Sequence, residues 1–291
     1  MRFLKRNRAA LLAALTAFCL TTSLLTGCSL SAEESRKEKA DGQVSQVSQV
    51  IQLTREDRRT SSDSAKSIDL SAAGDELLIT EPGDYRLSGE LNGSIHIAAE
   101  DQVVHLFLGG ITVKSTTAPA INVESAGKVI ITVEPGSENT LSDGSKYISD
   151  ICDACIFSRC DLTFNGSGSL SVSGYCKDAI HTKDYLKIIG VKLFTRAKDD
   201  GLHGNDGILI DGADLTIEAE KNGIRTTKAN KSYKGNIEIT GSVLSVIAGE
   251  HALNAARCIY MASSRAMLKG VMSNSKAEHE IFIEEGCLVN G

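Results

Sequence analysis

The chain contains 291 residues, carries a formal net charge of −6 at pH 7 and has no tryptophan. The length that follows the N-terminal region is sufficient for one sizeable hydrophobic core. No basic block indicates binding to nucleic acid, and no second apolar run indicates a transmembrane span.

The first 28 residues have the pattern of a bacterial export signal. Basic residues within positions 2–8 precede an apolar run from Ala9 to Leu25, which is typical of a secretory signal rather than of a spanning helix. The run ends in L-L-T-G-C at residues 24–28, which resembles a lipobox. This resemblance implies cleavage before Cys28, acylation of Cys28 and anchoring of a lipoprotein at the outer face of the bacterial membrane. The alternative is an ordinary cleaved signal with a cysteine at that position by chance.

Residues 29–66 are rich in Ser, Gln, Glu, Lys and Arg and contain few apolar side chains. Such a segment buries too little apolar surface to offset the entropy that it loses on ordering. The composition therefore predicts a flexible polar tether, with a short amphipathic helix as the alternative. Residues 67–291 remain as the predicted domain.

Four segments of this domain repeat a small residue followed by an apolar one. They are C-I-F-S-R-C from Cys155, A-I-H-T-K-D from Ala179, G-L-H-G-N-D from Gly201 and G-I-R-T-T-K from Gly223. Successive apolar residues are separated by 24, 22 and 22 positions, and each period contains three short runs of alternating polarity. This pattern predicts an all-β parallel β-helix, a solenoid with three short strands per coil. The asparagine-and-leucine signature of a leucine-rich repeat is missing.

Several motifs together resemble one protein family. They are T-E-P-G-D-Y-R-L-S-G from Thr80, E-N-T-L-S-D-G from Glu138, D-A-I-H-T-K-D from Asp178 and D-G-L-H-G-N-D from Asp200. The family is that of exported, often lipid-anchored carbohydrate-binding proteins, of which a clostridial member binds cellulose and polygalacturonate. The resemblance covers about residues 68–260 and implies a right-handed, pectate-lyase-like parallel β-helix, similar to calcium-dependent polysaccharide lyases. Beyond Tyr260 the resemblance is poor, and the C-terminal end is expected to be truncated or divergent.

Equivalent positions of successive coils in a β-helix stack about 4.8 Å apart. One predicted column contains Asp178, Asp200 and Asn222, and another contains Asp184 and Asp206. Stacked carboxylates repel unless a cation lies between them or one stays protonated, and oxygen ligands at this spacing suit calcium. Together with the resemblance, the columns predict a calcium site, whose alternative is a pair of solvated turns without metal. The candidate ligands are Asp178, Asp184, Asp199, Asp200, Asn205, Asp206 and Asn222.

His181 and His203 form a further column, flanked by Phe157 and Arg225. A zinc site would need a third ligand at a suitable spacing, which is missing, so both imidazoles are predicted to face solvent and to contact a sugar. Basic residues of the same coils are expected to bind uronate carboxylates, and a single tyrosine to stack on a sugar ring. The candidate ligand-binding residues are His181, Lys183, Lys187, His203, Arg225, Lys228 and Tyr233.

Six cysteines follow Cys28 in the sequence. An exported protein can pair such cysteines, but their connectivity cannot be deduced from sequence. The Cys152-x-x-Cys155 motif lacks a second C-x-x-C or a histidine pair, which leaves a zinc or redox role without support. Cys160 is predicted to be a substituted corner position, equivalent to Asp184, and not a zinc ligand.

The predicted function is non-catalytic, calcium-assisted binding of plant cell-wall polysaccharide at the bacterial cell surface. Polygalacturonate or pectin is the expected ligand, with cellulose as a further one; the absence of tryptophan disfavours a wide stacking platform for neutral glucans. One alternative is a calcium-dependent pectate lyase, in which Lys183 or Lys187 removes the proton alpha to a uronate carboxylate. The other alternative is a structural or adhesin-like surface solenoid.

Overall fold

The computed structural model describes residues 50–148 and 151–291. Cys28, the predicted signal at 1–28 and the predicted tether as far as residue 49 lie outside the described residues. Within the described ranges, helical structure is limited to two 3-10 turns at Glu56–Arg58 and Leu70–Ala72, and no helix is long and apolar enough to cross a membrane. The described chain is all-β, as predicted.

The strands, numbered in chain order, pair in three parallel ladders. The first ladder contains β1 (Lys66–Asp69), β3 (Gly83–Leu91), β5 (Val103–Lys114), β7 (Lys128–Val133), β10 (Asp161–Gly166), β13 (Tyr185–Ile189), β16 (Gly207–Asp211), β19 (Asn236–Thr240), β22 (Cys258–Ala262) and β25 (Glu280–Ile283). The second contains β8 (Glu138–Ser142), β11 (Ser169–Gly174), β14 (Lys192–Ala197), β17 (Asp214–Ala219), β20 (Val243–Ala248), β23 (Arg265–Gly270) and β26 (Leu288–Asn290). The third contains β2 (Glu76–Ile79), β4 (Ser94–Ala98), β6 (Ile121–Ser125), β9 (Ala154–Ser158), β12 (Asp178–Thr182), β15 (Leu202–Gly204), β18 (Ile224–Arg225), β21 (His251–Ala255) and β24 (Ser273–Ala277).

Two long strands join the first ladder to the second. β3 and β5 pair with each other across a register shift between Leu87 and Gly89, and β5 then pairs with both β7 and β8. The first and second ladders therefore form one 17-stranded sheet, whereas the third ladder is a separate 9-stranded sheet.

The sequence repeat sets the register of the ladders. Ile180 on β12 lies opposite Leu202 on β15, which lies opposite Ile224 on β18, so the predicted step of 22 residues is confirmed. The longer step also holds, because Ile156 on β9 lies opposite Ile180.

Columns of aliphatic side chains from all three ladders form the core. Leu162, Leu186 and Ile208, for example, lie opposite one another on consecutive strands and are fully buried. Burial of such a side chain contributes about 1.5–3 kcal/mol. Because side chains alternate between the two faces of a strand, the intervening residues project from the outer face of the ladder.

Close packing at one corner explains the small residue in each repeat. A Cβ atom added to Gly201 would lie 2.6 Å from the carbonyl oxygen of Gly223, and one added to Gly223 would lie 2.6 Å from the carbonyl oxygen of Ala252. Successive corners thus leave no room for a larger side chain between them. Ala179 and Ala252, the equivalent residues in other repeats, are fully buried.

The segment at residues 50–62, here named the N-terminal strap, differs from the predicted flexible tether. The strap contacts the outer face of the first ladder, where only 4% of Ile51 and none of Asp57 is exposed. β1 then begins at Lys66 and pairs with β3. Apart from Ile51, hydrogen bonds and ion pairs rather than apolar burial hold this segment in place, which is why its polar composition does not reveal the contact.

The six cysteines that follow Cys28 are unpaired. Burial raises the pKa of the Cys155 and Cys160 thiols, so that both remain protonated and unreactive at neutral pH. The prediction that Cys160 is not a zinc ligand stays a prediction.

Candidate functional site

Two carboxylates and an amide stack at one corner of the third ladder. The backbone N–H of Asp200 donates to Asp178 Oδ1 at 2.9 Å, and the N–H of Asn222 donates to Asp200 Oδ1 at 3.0 Å. Each side chain therefore holds the corner of the following repeat. All three are nearly inaccessible, with 5%, 2% and 2% exposed, so this predicted column exists but is buried.

Two stacked imidazoles lie beside the column. The rings of His181 and His203 are 4.0 Å apart between centroids and are parallel to within 2°. His181 Nδ1 lies 2.5 Å from Asp153 Oδ1, and His203 Nδ1 lies 3.0 Å from Asp178 Oδ2. Only 2% of His181 and 8% of His203 are exposed, which differs from the solvent-facing position expected from sequence. The edge-on ring of Phe157, at 5.7 Å from His181, covers the stack on one side.

Burial decides the protonation of this cluster. Burial, and then the charge of Asp200, raise the pKa of Asp178 to about 7. Burial lowers the pKa of His203 to about 4 and also lowers that of His181, although the hydrogen bond with Asp153 opposes the second shift. Both imidazoles are therefore neutral at pH 7, and the contact of His203 with Asp178 favours donation from Nδ1–H. The buried Nε2 atom of His203 has no hydrogen-bond partner among the described residues.

Asp178, His181 and His203 are the one group of potential metal-binding side chains found within the described ranges. Their donor atoms all lie within 4.8 Å of one another, so Asp178 is the third ligand that sequence reasoning did not assign to the histidines. The parallel rings, whose centroids lie 4.0 Å apart, fit a single ion poorly, because a metal binds an imidazole nitrogen close to the ring plane and two stacked rings do not share a plane. One ring would have to rotate before these residues could hold a transition metal.

A protein cation already neutralises Asp200 in the first column. Arg225 Nη1 donates to Asp200 Oδ2 at 3.0 Å, and Asn222 Nδ2 donates to Asp200 Oδ1 at 2.8 Å. Asp199, a further candidate ligand, is turned to an ion pair with Lys221 at 2.9 Å.

The second column is neutralised by lysine. Lys228 Nζ lies 2.9 Å from Asp206 Oδ1 and 4.0 Å from Asp184 Oδ1, and Lys234 forms a second ion pair with Asp206. Burial, and then the charge of Asp206, raise the pKa of Asp184. Lys228 thus occupies the position that the sequence suggested for a cation, and a calcium ion at this column would have to displace it.

The remaining candidate residues lie on two surfaces: Asn205, Lys183 and Tyr233 lie near the third ladder, and Lys187 lies on the first ladder. Asn205 Oδ1 lies 3.2 Å from His181 Nε2, and Lys183 Nζ lies 5.3 Å from the centre of the Phe157 ring. Tyr233 is half exposed, and its carbonyl oxygen accepts a hydrogen bond from the Tyr185 hydroxyl at 3.2 Å. Lys187 lies elsewhere, on the outer face of the first ladder, where 4% of it is exposed.

Four partly exposed basic side chains lie close together beside the third ladder, and we name them the cationic edge. Its partly exposed side chains have exposed fractions of 37% for Lys183, 39% for Arg225, 40% for Lys228 and 22% for Lys234. Sequence reasoning missed Lys234 because an insertion after Arg225 breaks the repeat. Asp153 was also missed, although its place directly before Ala154, which aligns with Asp178, was a usable signal.

The described residues thus define an all-β protein of stacked parallel ladders, with acidic, histidine and basic side chains clustered on the third ladder. The chain belongs to the family of carbohydrate-binding domain-containing proteins, whose model matches residues 73–286. This match extends past Tyr260, where the resemblance was expected to end.

Individual comparisons agree with this family. The chain is 31% identical over 282 residues to a carbohydrate-binding domain-containing protein of Acetivibrio thermocellus, covering 94% of this chain and 96% of that protein. It is also similar to the solved structure of a polysaccharide lyase-like protein from C. thermocellum, a gadolinium derivative, with a TM-score of 0.73 and 27% identity over 77% of this chain and 98% of that one.

Proposed function

We propose that this protein binds acidic plant cell-wall polysaccharide, such as polygalacturonate, without cleaving it, at the outer surface of a bacterium. The observation that carries the proposal is the cationic edge formed by Lys183, Arg225, Lys228 and Lys234. Lys183 belongs to the repeat that begins at Ala179, and the other three belong to the repeat that begins at Gly223, two coils further along the stack. Ammonium and guanidinium groups bind carboxylates by charge-assisted hydrogen bonds. An extended polymer with carboxylates along its length can contact cations of both coils at once.

The architecture that we propose is a right-handed parallel β-helix with three strands per coil. Support comes from the order of the pairings, since from β9 onward every three successive strands enter the third, the first and the second ladder in turn. A crossover between parallel strands of one sheet is right-handed in nearly all proteins. An outer face that runs along such a solenoid suits an extended polymer.

We propose further that calcium assists the binding of polygalacturonate, and this part of the proposal has a test of its own. In the free protein Lys228 lies between Asp184 and Asp206, so calcium has to compete with a tethered ammonium group. Calcium assistance therefore requires that polygalacturonate retention fall when a chelator is added.

The binding test compares two double variants that lose the same positive charge. Lys183→Ala with Lys228→Ala should weaken retention on polygalacturonate by about tenfold for each lost charge-assisted contact. Lys192→Ala with Lys269→Ala, which removes exposed lysines from the second ladder, should leave retention unchanged. If both double variants lost retention equally, the effect would be due to net charge alone, which would contradict specific binding at the cationic edge.

A polysaccharide lyase is the second candidate, because the similar solved structure is lyase-like. Lys183 is the better placed base: its Nζ lies 3.5 Å from His181 Nε2 and 3.8 Å from Asp153 Oδ2. Lys187 is buried beneath the strap and forms an ion pair with Asp57. An increase in ultraviolet absorbance from unsaturated uronate product, lost in Lys183→Ala, would establish the lyase and overturn non-catalytic binding. Failure to retain any glycan would leave a structural or adhesin-like solenoid.

A further inference from the structure

The outer face of the first ladder forms a polar groove beneath the N-terminal strap. On β10, Leu162 and Phe164 point into the core, so Thr163 and Asn165 project outward, yet both are buried. Lys187 on β13 and Glu238 on β19 are also polar and buried on this ladder. The strap is what covers these side chains, and it crosses several repeats along the axis of the stack.

The carboxylate of Asp57 occupies the centre of this groove. Asp57 Oδ1 lies 2.9 Å from Lys128 Nζ and accepts a hydrogen bond from Thr163 Oγ1 at 2.7 Å. Asp57 Oδ2 lies 3.2 Å from Lys187 Nζ and accepts from the Thr54 N–H at 2.8 Å. Burial alone would raise the pKa of Asp57, but these hydrogen bonds together lower it well below its ordinary value. Two ammonium groups and a hydroxyl group of the sheet thus make a receptor for one carboxylate.

The rest of the strap is held almost entirely by polar contacts. Glu238 accepts hydrogen bonds from the N–H groups of Val50 and Ile51 at 3.1–3.3 Å. Asn165 Nδ2 donates to the carbonyl oxygens of Asp57 and Arg59 at 2.9 Å. Ile51 is the one apolar residue of the strap that is fully covered. Contacts of this kind can be exchanged for the hydroxyl and carboxylate groups of another extended chain.

We propose that this groove is a second binding site for acidic polysaccharide and that the strap occupies it in cis, with Asp57 in the place of a uronate carboxylate. The inference rests on the proposed function, which supplies the ligand. Because the strap is covalently joined to β1 only a few residues away, it competes at a high effective concentration. A ligand must displace the strap, so the apparent affinity of the groove for the polymer is lower than it would be without the strap.

The test uses the full chain and measures two quantities, the dissociation constant for polygalacturonate and hydrogen exchange of the strap amides. Asp57→Asn removes the charge that holds the strap and should tighten binding about tenfold, by the loss of one charge-assisted contact from the competitor. Asp63→Asn, an exposed acid just beyond the strap, should bind as wild type does. In wild type, saturating polymer should accelerate exchange of the Ile51 amide. Adding Lys187→Met to Asp57→Asn should remove the gain.

The possible outcomes separate this inference from the proposed function. Wild-type affinity in Asp57→Asn, or an Ile51 amide that stays protected under saturating polymer, would overturn the groove even if Lys183 and Lys228 prove essential. Tighter binding in Asp57→Asn with no effect of Lys183→Ala and Lys228→Ala would uphold the groove and overturn the cationic edge. Absence of polygalacturonate binding in all variants would overturn both. Unchanged exchange of the β10 and β13 amides in Asp57→Asn verifies that the fold is intact.

Discussion

At the scale of single residues, Asp178 makes the stability of the protein depend on pH. Its pKa is about 7 in the folded protein against a reference of 3.8, so its stabilising contribution is complete below pH 3.8 and is lost as pH rises through 7. His203, whose pKa is lowered from 6.5 to about 4, has the opposite effect, losing its contribution as pH falls below 6.5. The two effects oppose each other between pH 4 and 6.5, and above that range only Asp178 of this pair still titrates. Burial also raises the pKa of Glu238 to about 7, so that Glu238 adds its own loss in wild type and variants alike.

We therefore expect wild type to lose about 1 kcal/mol of unfolding free energy between pH 6.5 and 8 through this carboxyl group. Asp178→Asn, which cannot ionise, should not show that loss, whereas Asp63→Asn should retain it. Urea unfolding at several pH values measures the slope. A slope in Asp178→Asn equal to that of wild type would show that Asp178 is ionised throughout this range.

Lys228 decides whether calcium can enter the second column. Lys228→Met leaves Asp184 and Asp206 facing each other with Lys234 as the remaining cation, and the freed carboxylates should bind calcium. Calcium at about 100 times its dissociation constant would stabilise this variant by about 2.7 kcal/mol, a rise in melting temperature of roughly 5–10 °C for a domain of this size. Lys221→Met, which frees only Asp199, should respond as wild type does. An equal rise in melting temperature with calcium in both variants would show that Lys228 does not control calcium binding at this column.

At the scale of secondary-structure elements, the corners between strands depend on small residues that lie directly on one another. A Cβ atom on Gly223 would lie 2.2 Å from a methyl group of Val246 as well as 2.6 Å from the Ala252 carbonyl oxygen. Gly223→Ala should therefore lower the unfolding free energy by about 1–3 kcal/mol through overpacking.

A matched change tests the cause of this loss. Gly212 has a positive φ of 64° and nothing within 4 Å of an added Cβ, so Gly212→Ala costs only the left-handed backbone, about 1–2 kcal/mol. Crystal structures of the variants should show that Gly223→Ala displaces Val246, whereas Gly212→Ala should not move its neighbours. An unmoved Val246 in a fully stable Gly223→Ala protein would refute the packing argument.

At the scale of the whole molecule, the proposed place of action depends on residues before the described domain. The lipobox at residues 24–28 leads us to propose that Cys28 carries the lipid anchor. Cys28→Ala should transfer the protein from the membrane fraction to the soluble fraction, because the acylated residue is the proposed anchor. Cys160→Ser, which leaves the lipobox intact, is the control. Continued sedimentation of Cys28→Ala with membranes after a high-salt wash would exclude anchoring through this residue.

The sequence by itself determined the all-β class, the step of 22 residues and the stacking of Asp178 over Asp200. These features depend only on how each repeat pairs with the next, and a repeated register places equivalent residues side by side without further information. This reasoning does not apply where an insertion interrupts the repeat, which is why it did not predict the position of Lys234.

Only the tertiary structure decided which of these side chains are accessible. Burial of His181 and His203 results from Phe157 and Asp153 in a neighbouring repeat, and period alone carries no information about solvent exposure. The strap is the clearest case, since Asp57 and Lys187 are 130 positions apart and belong to no common repeat. Contacts between a polar, non-repeating segment and an outer face arise from complementary charges in three dimensions, and no periodic pattern in the chain encodes them.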